Sequence, residues 1–166
     1  MKRRLGTFLI FALVLSAARI PRRAPAFSMS QVDGAKVSLS QFRGKVILMA
    51  YILTTCSHCQ AATGVFKQLQ SELGPRGLQV LESAVEDDSQ HHIAAFAQRF
   101  QPNFPLGWSN RADVEPVLQP DDSLHIMPQS VVIDRQGVIR AQFYGDDKIF
   151  EGDVVQHMTA LIDKYL

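Results

Sequence analysis

Apolar positions along this chain fall into blocks whose spacing alternates between strand and helix. Lys45 to Leu53 is apolar nearly throughout, the pattern of a strand covered on both faces. After Cys56, the residues Ala62, Val65, Phe66, Leu69 and Leu73 recur at three- and four-residue intervals. That spacing predicts one buried face of a helix, ended by Gly74-Pro75. Gly64 costs such a helix about 1 kcal/mol relative to Ala, so a close packing contact is expected there. Leu78 to Val85 reads as the next strand. Ser89 then reads as the N-cap of a helix burying Ile93, Phe96, Ala97 and Phe100. A Pro-punctuated stretch follows, with a short strand near Phe104 to Trp108 and a broken helix from Ala112 to Leu118. Ser130 to Asp134, a turn at Arg135-Gln136-Gly137, and Val138 to Phe143 form the clearest hairpin. Val155, Met158, Leu161, Ile162 and Tyr165 predict a final amphipathic helix.

Upstream, Ala26 to Ser30 and Lys36 to Leu39 flank Asp33-Gly34 and predict a small β-hairpin. Ser40 to Arg43 reads as one helical turn closed by Gly44. The order of elements predicts an α/β fold: a central mixed β-sheet flanked by helices on both faces, with an N-terminal β-hairpin.

Charge changes the picture at the N-terminus. Six of the 17 basic residues (Lys2, Arg3, Arg4, Arg19, Arg22, Arg23) precede Ala24, and no acid does. The remaining 11 basic and 16 acidic residues make the rest mildly acidic, against the basic footprint that nucleic-acid binding requires. Met1 to Arg4 is a basic n-region, Leu5 to Ala18 is mostly apolar, and Ser16-Ala17-Ala18 offers small residues for a signal peptidase. Residues 1–23 are therefore expected to be a cleaved signal peptide or an N-terminal membrane anchor, with Arg19 to Pro25 as a basic linker. Residues 24–166 form one expected domain, placed outside the cytoplasm in the periplasm, secreted or tethered to the inner membrane.

Cys56 and Cys59 are the only cysteines, so they cannot make a disulfide scaffold and point to chemistry. A strand that delivers Cys56-Ser57-His58-Cys59 to the first turn of a helix puts the first sulfur beside unpaired N–H groups. Those groups and the helix dipole favour thiolate, the attacking form in disulfide exchange. Cys56 is the expected nucleophile and Cys59, one turn on and more buried, the resolving thiol. Four-ligand zinc sites need partners that are missing here, and Gln60 rather than His follows Cys59, against haem attachment.

With Gln41-Phe42-Arg43-Gly44-Lys45-Val46-Ile47-Leu48 leading to the cysteines, Met127-Pro128 before Val131-Val132-Ile133-Asp134, and Gly137-Val138-Ile139, the chain resembles the thioredoxin superfamily. The likeness is to its TlpA/ResA/CcmG-like, redoxin (AhpC/TSA-related) branch of exported thiol–disulfide oxidoreductases, and spans roughly residues 24–166. It implies a thioredoxin-like fold, a cis Pro128 packed on the cysteine loop, and no cofactor beyond a redox-active Cys56–Cys59 disulfide. Thr55, Ser57 and Met127 would border the partner surface. Implied partners are extracytoplasmic proteins with thiols or disulfides, among them apocytochrome c, and an upstream membrane thiol reductant, with the protein itself a monomer. Thr55 replaces the usual Trp, and the Ser57-His58 pair lacks proline. In the related oxidase DsbA a His in that slot favours thiolate, so His58 either tunes Cys56 or faces solvent, and the direction of electron flow stays open.

The branch often carries an acid just after the second core strand to deprotonate the resolving cysteine. Glu86 and Asp87 are the candidates, with Glu82 inside the strand, where burial would raise its pKa. His91 and His92 read as the solvated start of a helix, and Trp108 as core or groove lining. Two other readings compete. A peroxiredoxin-like peroxidase wants Pro seven and Thr or Ser three residues before its cysteine, where this chain has Met49 and Leu53. A copper-binding assembly factor would use Cys56, Cys59 and His125, soft thiolates suiting Cu(I).

Overall fold

The computed structural model describes residues 20–118 and 126–166. At its centre, β4 (Val46–Ile52) is buried along its whole length, as the uninterrupted apolar run requires. It runs parallel to β5 (Leu78–Ala84) and antiparallel to β7 (Gln129–Ile133). Further strands are β1 (Arg22–Arg23), β2 (Ser28–Gln31), β3 (Lys36–Ser38), β6 (Leu106–Trp108) and β8 (Val138–Phe143). Together they form one mixed sheet in the order β1-β8-β7-β4-β5-β6-β2-β3.

Among the described residues, four α-helices flank this sheet: α1 (Ser57–Leu73), α2 (Ser89–Phe100), α3 (Arg111–Leu118) and α4 (Val154–Ile162). The alternation of side chains along β4 divides the core between them. Ile47, Met49 and Tyr51 pack with Val114, Val117 and Leu118 of α3, and the Tyr51 ring meets Phe27 edge-on at 5.5 Å. On the opposite face, Val46, Leu48 and Ala50 pack against Phe66 and Leu69 of α1 and Met158 and Ile162 of α4. Ile52, Ala84 and Cys59 join Ile93 and Phe96 of α2 in a third cluster. Each large side chain buried in this way contributes about 1.5–3 kcal/mol. Among the described residues, no helix is long and apolar enough to cross a membrane.

The expected hairpins, the helical turn at Leu39–Phe42 and all four helices are present. Three local expectations give way. Arg22–Arg23, read as linker, pair with Val138 and Ile139 and extend the sheet. Main-chain hydrogen bonding to an open strand edge is indifferent to side chain, so composition does not reveal it. The N-cap of α2 is Asp88, in the left-handed region at φ 61°, and not Ser89, whose hydroxyl donates backwards to the Glu86 carbonyl. Gly64 is exposed, and a Cβ there would meet nothing within 4 Å, so no packing contact accounts for it. The expected leader (residues 1–18) and His125 lie outside the described residues.

Candidate active site

β4 ends at Ile52, and after three intervening residues Cys56 caps α1. The Cys56 amide donates to the Leu53 carbonyl at 3.1 Å, and the Cys56 carbonyl accepts from Gln60 N at 3.0 Å. Cys56 is thereby the N-cap of α1, with extended backbone (φ −77°, ψ 121°), and its sulfur lies where the first helical N–H groups lack intrahelical partners. It is half-buried, Cys59 is completely buried one turn on, and both are free thiols.

Two side chains hold the loop ahead of Cys56. The Glu86 carboxylate accepts from the Thr54 amide at 2.8 Å and from the Thr54 hydroxyl. Gln60 Nε2 donates to the Thr54 carbonyl at 2.9 Å.

Across from the helix tip, the Met127–Pro128 bond is cis. Cys56 Sγ reaches the Met127 carbonyl oxygen at 4.0 Å, the outer limit for a sulfur donor. Gly145, just past β8, backs this peptide: a Cβ there would lie 2.3 Å from the Met127 oxygen and 3.0 Å from Pro128 N. Real Cβ atoms do not approach so closely, so this position requires glycine. A cleft of ≈ 580 Å³ opens beside the pair, lined by His58, Ala61, Val65, Pro128, Gly145 and Phe150 among others.

Beneath the cysteines lies a buried acid. Glu82 of β5, fully inaccessible, is the register partner of Ala50 and Leu106. Its Oε1 is 2.8 Å from Thr63 Oγ1, and that hydroxyl is also 3.0 Å from the Cys59 carbonyl. Glu82 Oε2 has no partner among the described residues. Burial pushes the Glu82 carboxyl up to about 8, against the lowering effect of the Thr63 hydrogen bond. Burial likewise pushes the Cys59 thiol far up, and Cys56 and the Glu82 charge add to the rise.

Cys56, Cys59, Met127 and Pro128 come together as expected, with Thr55, Ser57 and His58 exposed around them. The acids are redistributed. Glu86, one of the candidate bases, accepts two hydrogen bonds from Thr54, and Asp87, the other, is exposed. The carboxylate whose charge bears on Cys59 is Glu82, because the strand's side-chain alternation directs it under α1 while the loop acids lie beyond it. Trp108 is half-buried against the cluster that contains Cys59, and His91 and His92 are exposed. Thr63 and Gly145 were not anticipated. Thr63 carried a signal, since it follows Cys59 by four residues and so shares its buried face. Gly145 carried none, because its close approach is to a residue 18 positions away in sequence. Among the described residues, no group of three or more His, Cys, Asp or Glu is placed to hold a metal ion.

A thiol pair at a helix tip, facing a cis-proline peptide on a mixed sheet, defines a thiol–disulfide oxidoreductase of thioredoxin-like fold. Comparison with known proteins agrees. The model of the AhpC/TSA family matches residues 20–142. The thiol-disulfide oxidoreductase ResA of Geobacillus thermodenitrificans is 22% identical over 146 residues, covering 88% of this chain and 80% of that protein. Chloroplastic peroxiredoxin Q of Suaeda salsa is 31% identical over 123 residues, covering 70% of this chain and 55% of that one. Among solved structures, a thioredoxin-family thiol:disulfide interchange protein from Chlorobium tepidum superposes with a TM-score of 0.70 at 20% identity. That match covers 88% of this chain and 99% of the other. The chain belongs to the AhpC/TSA family.

Proposed function

We propose that this protein exchanges disulfides with partner polypeptides outside the cytoplasm, acting as a protein-disulfide reductase. One observation carries the reading: the half-buried Cys56 sulfur at the helix tip lies 4.0 Å from the Met127 carbonyl, with Cys59 buried behind it. Cys56, as thiolate, attacks one sulfur of a partner disulfide. The new Cys56–partner bond forms, and the partner's other sulfur leaves and takes up a proton. Cys59 then gives its proton to Glu82 and attacks Cys56, closing the Cys56–Cys59 disulfide and releasing the second partner thiol. Two electrons pass from the dithiol to the partner, and an upstream thiol reductant restores it. A carboxyl titrating near 8 exchanges protons at neutral pH, as the second step needs. Met127, Thr55 and Ser57 border the contact surface, and His58 faces it.

The basic Met1–Arg4 start followed by a mostly apolar Leu5–Ala18 supports export or tethering. Partners are extracytoplasmic thiol or disulfide proteins, apocytochrome c among them. Peroxidase chemistry is not favoured: Met49 is buried mid-strand and Leu53 puts no hydroxyl three residues before Cys56.

With dithiothreitol present, the purified protein is expected to accelerate insulin reduction. Cys56→Ser should abolish this, and Cys59→Ser should accumulate mixed disulfides visible on non-reducing gels. Full activity in Cys56→Ser would overturn the assignment. The reduction potential of the pair sets direction, a value near thioredoxin's roughly −270 mV marking a reductant and one near DsbA's roughly −120 mV an oxidant.

A further inference from the structure

A hydroxyl has one proton to donate, yet Thr63 Oγ1 stands within hydrogen-bond distance of two acceptors. The Cys59 carbonyl is 3.0 Å away and Glu82 Oε1 is 2.8 Å away. Both contacts hold at once only if Glu82 is protonated and donates to Thr63, which then donates to the Cys59 carbonyl. Once Glu82 is ionised, the Thr63 proton must turn to the carboxylate, and the Cys59 carbonyl loses it. We propose that Thr63 is a positioning residue, a two-way hydroxyl that sets the protonation of Glu82 and thereby the ease with which Cys59 resolves a mixed disulfide. This inference rests on the assignment of Glu82 as the acceptor of the Cys59 proton.

Among the described residues, no other side chain hydrogen-bonds the Glu82 carboxyl. Its strand neighbours Ala50 on β4 and Leu106 on β6 are uncharged. On α1 the titratable group coupled to it is Cys59, which is coupled in turn to Cys56 at the cap. Lys67, one turn beyond Thr63, donates its ammonium to the Phe100 carbonyl at 2.7 Å. On α2, Arg99 is exposed over the Phe100 ring, and His91 and His92 are exposed. Thr63 is therefore the one neutral donor to this carboxyl among the described residues. Proton balance is simple: the proton leaves Cys59 Sγ and arrives on Glu82, and Thr63 only reorients.

The test follows the two thiol-releasing phases of the reduced protein with 5,5′-dithiobis(2-nitrobenzoate). The first phase forms the Cys56 mixed disulfide. The second, attack by Cys59, is recorded against pH for wild type, Thr63→Val, Thr63→Ser and Glu82→Gln. Thr63→Val keeps the shape but removes the donor, so ionised Glu82 loses its partner. The second-phase midpoint should move to higher pH, slowing that phase about tenfold at neutral pH for each unit moved. Thr63→Ser should restore the wild-type profile, and the first phase should change in neither variant. If Glu82→Gln removes the pH wave but Thr63→Val leaves it in place, the proposal for Thr63 is wrong. If Glu82→Gln leaves the wave untouched, the Glu82 assignment itself falls, and the Thr63 proposal with it. Should Thr63→Val not fold, Thr63→Ala, which favours the helix, gives the same reading.

Discussion

At Gly145 the absent side chain is what admits the Met127–Pro128 peptide to its place opposite Cys56. Gly145→Ala would force that carbonyl out of its place opposite the nucleophile by a substantial fraction of an ångström or more. Displacements of this size cost about 10- to 100-fold in rate where reacting groups must be aligned. Insulin reduction by Gly145→Ala, with folding checked by circular dichroism, should fall in that range. A folded variant with the wild-type rate would show that the Met127 carbonyl needs no fixed position. Thr54 and Glu86 illustrate the same scale from the other side: two hydrogen bonds to one carboxylate oxygen tie the loop before Cys56 to the loop after β5.

Helix α1 carries one buried face and one glycine, Gly64. Its buried stripe of Ala62, Phe66, Leu69 and Leu73 was legible from spacing, because burial on one side imposes a period of 3.6 residues. Gly64 lies beside open space, with no neighbour for a side chain to meet. Gly64→Ala should therefore raise stability by about 1 kcal/mol in urea unfolding, with insulin reduction unchanged. The β7–β8 hairpin was legible for a related reason: Asp134 and Gly137 bracket a turn in which Asp134 Oδ1 accepts from the amides of Gln136 and Val138 at 2.9 Å. β1 was not legible, since its ladder with β8 is made of main-chain hydrogen bonds that no residue type dictates. The start of α2 slipped by one residue because a serine hydroxyl can donate to a nearby carbonyl as readily as accept from a helix N–H.

For the molecule as a whole, the buried Glu82 makes stability depend on pH. Its carboxyl titrates at the ordinary 4.5 when unfolded and near 8 in the fold, so the folded state holds an extra proton between those values. Stability from this group is full below about 4.5 and is lost as pH rises through about 8, by on the order of a few kcal/mol. Urea midpoints of the wild type should fall over that window, while Glu82→Gln, which cannot ionise, should lack this component and exceed wild type at the alkaline end. An equal pH dependence in both proteins would show that Glu82 does not titrate there. The same desolvation acts on Cys59, so the site and the global fold draw on one buried region.

From the linear chain alone, the strand before the cysteines, the helix after them, the mixed sheet and the identity of the thiol pair could be read. Each of these rests on local spacing or on residue chemistry that needs no distant partner. Folding in three dimensions decided which acid lies under Cys59, that Thr63 bridges it to the helix, and that Gly145 seats the Met127–Pro128 peptide. These depend on which strands become neighbours and on which side of the sheet a side chain lands. Such pairings are set by burial summed over the whole sheet, and no short window of sequence contains that sum.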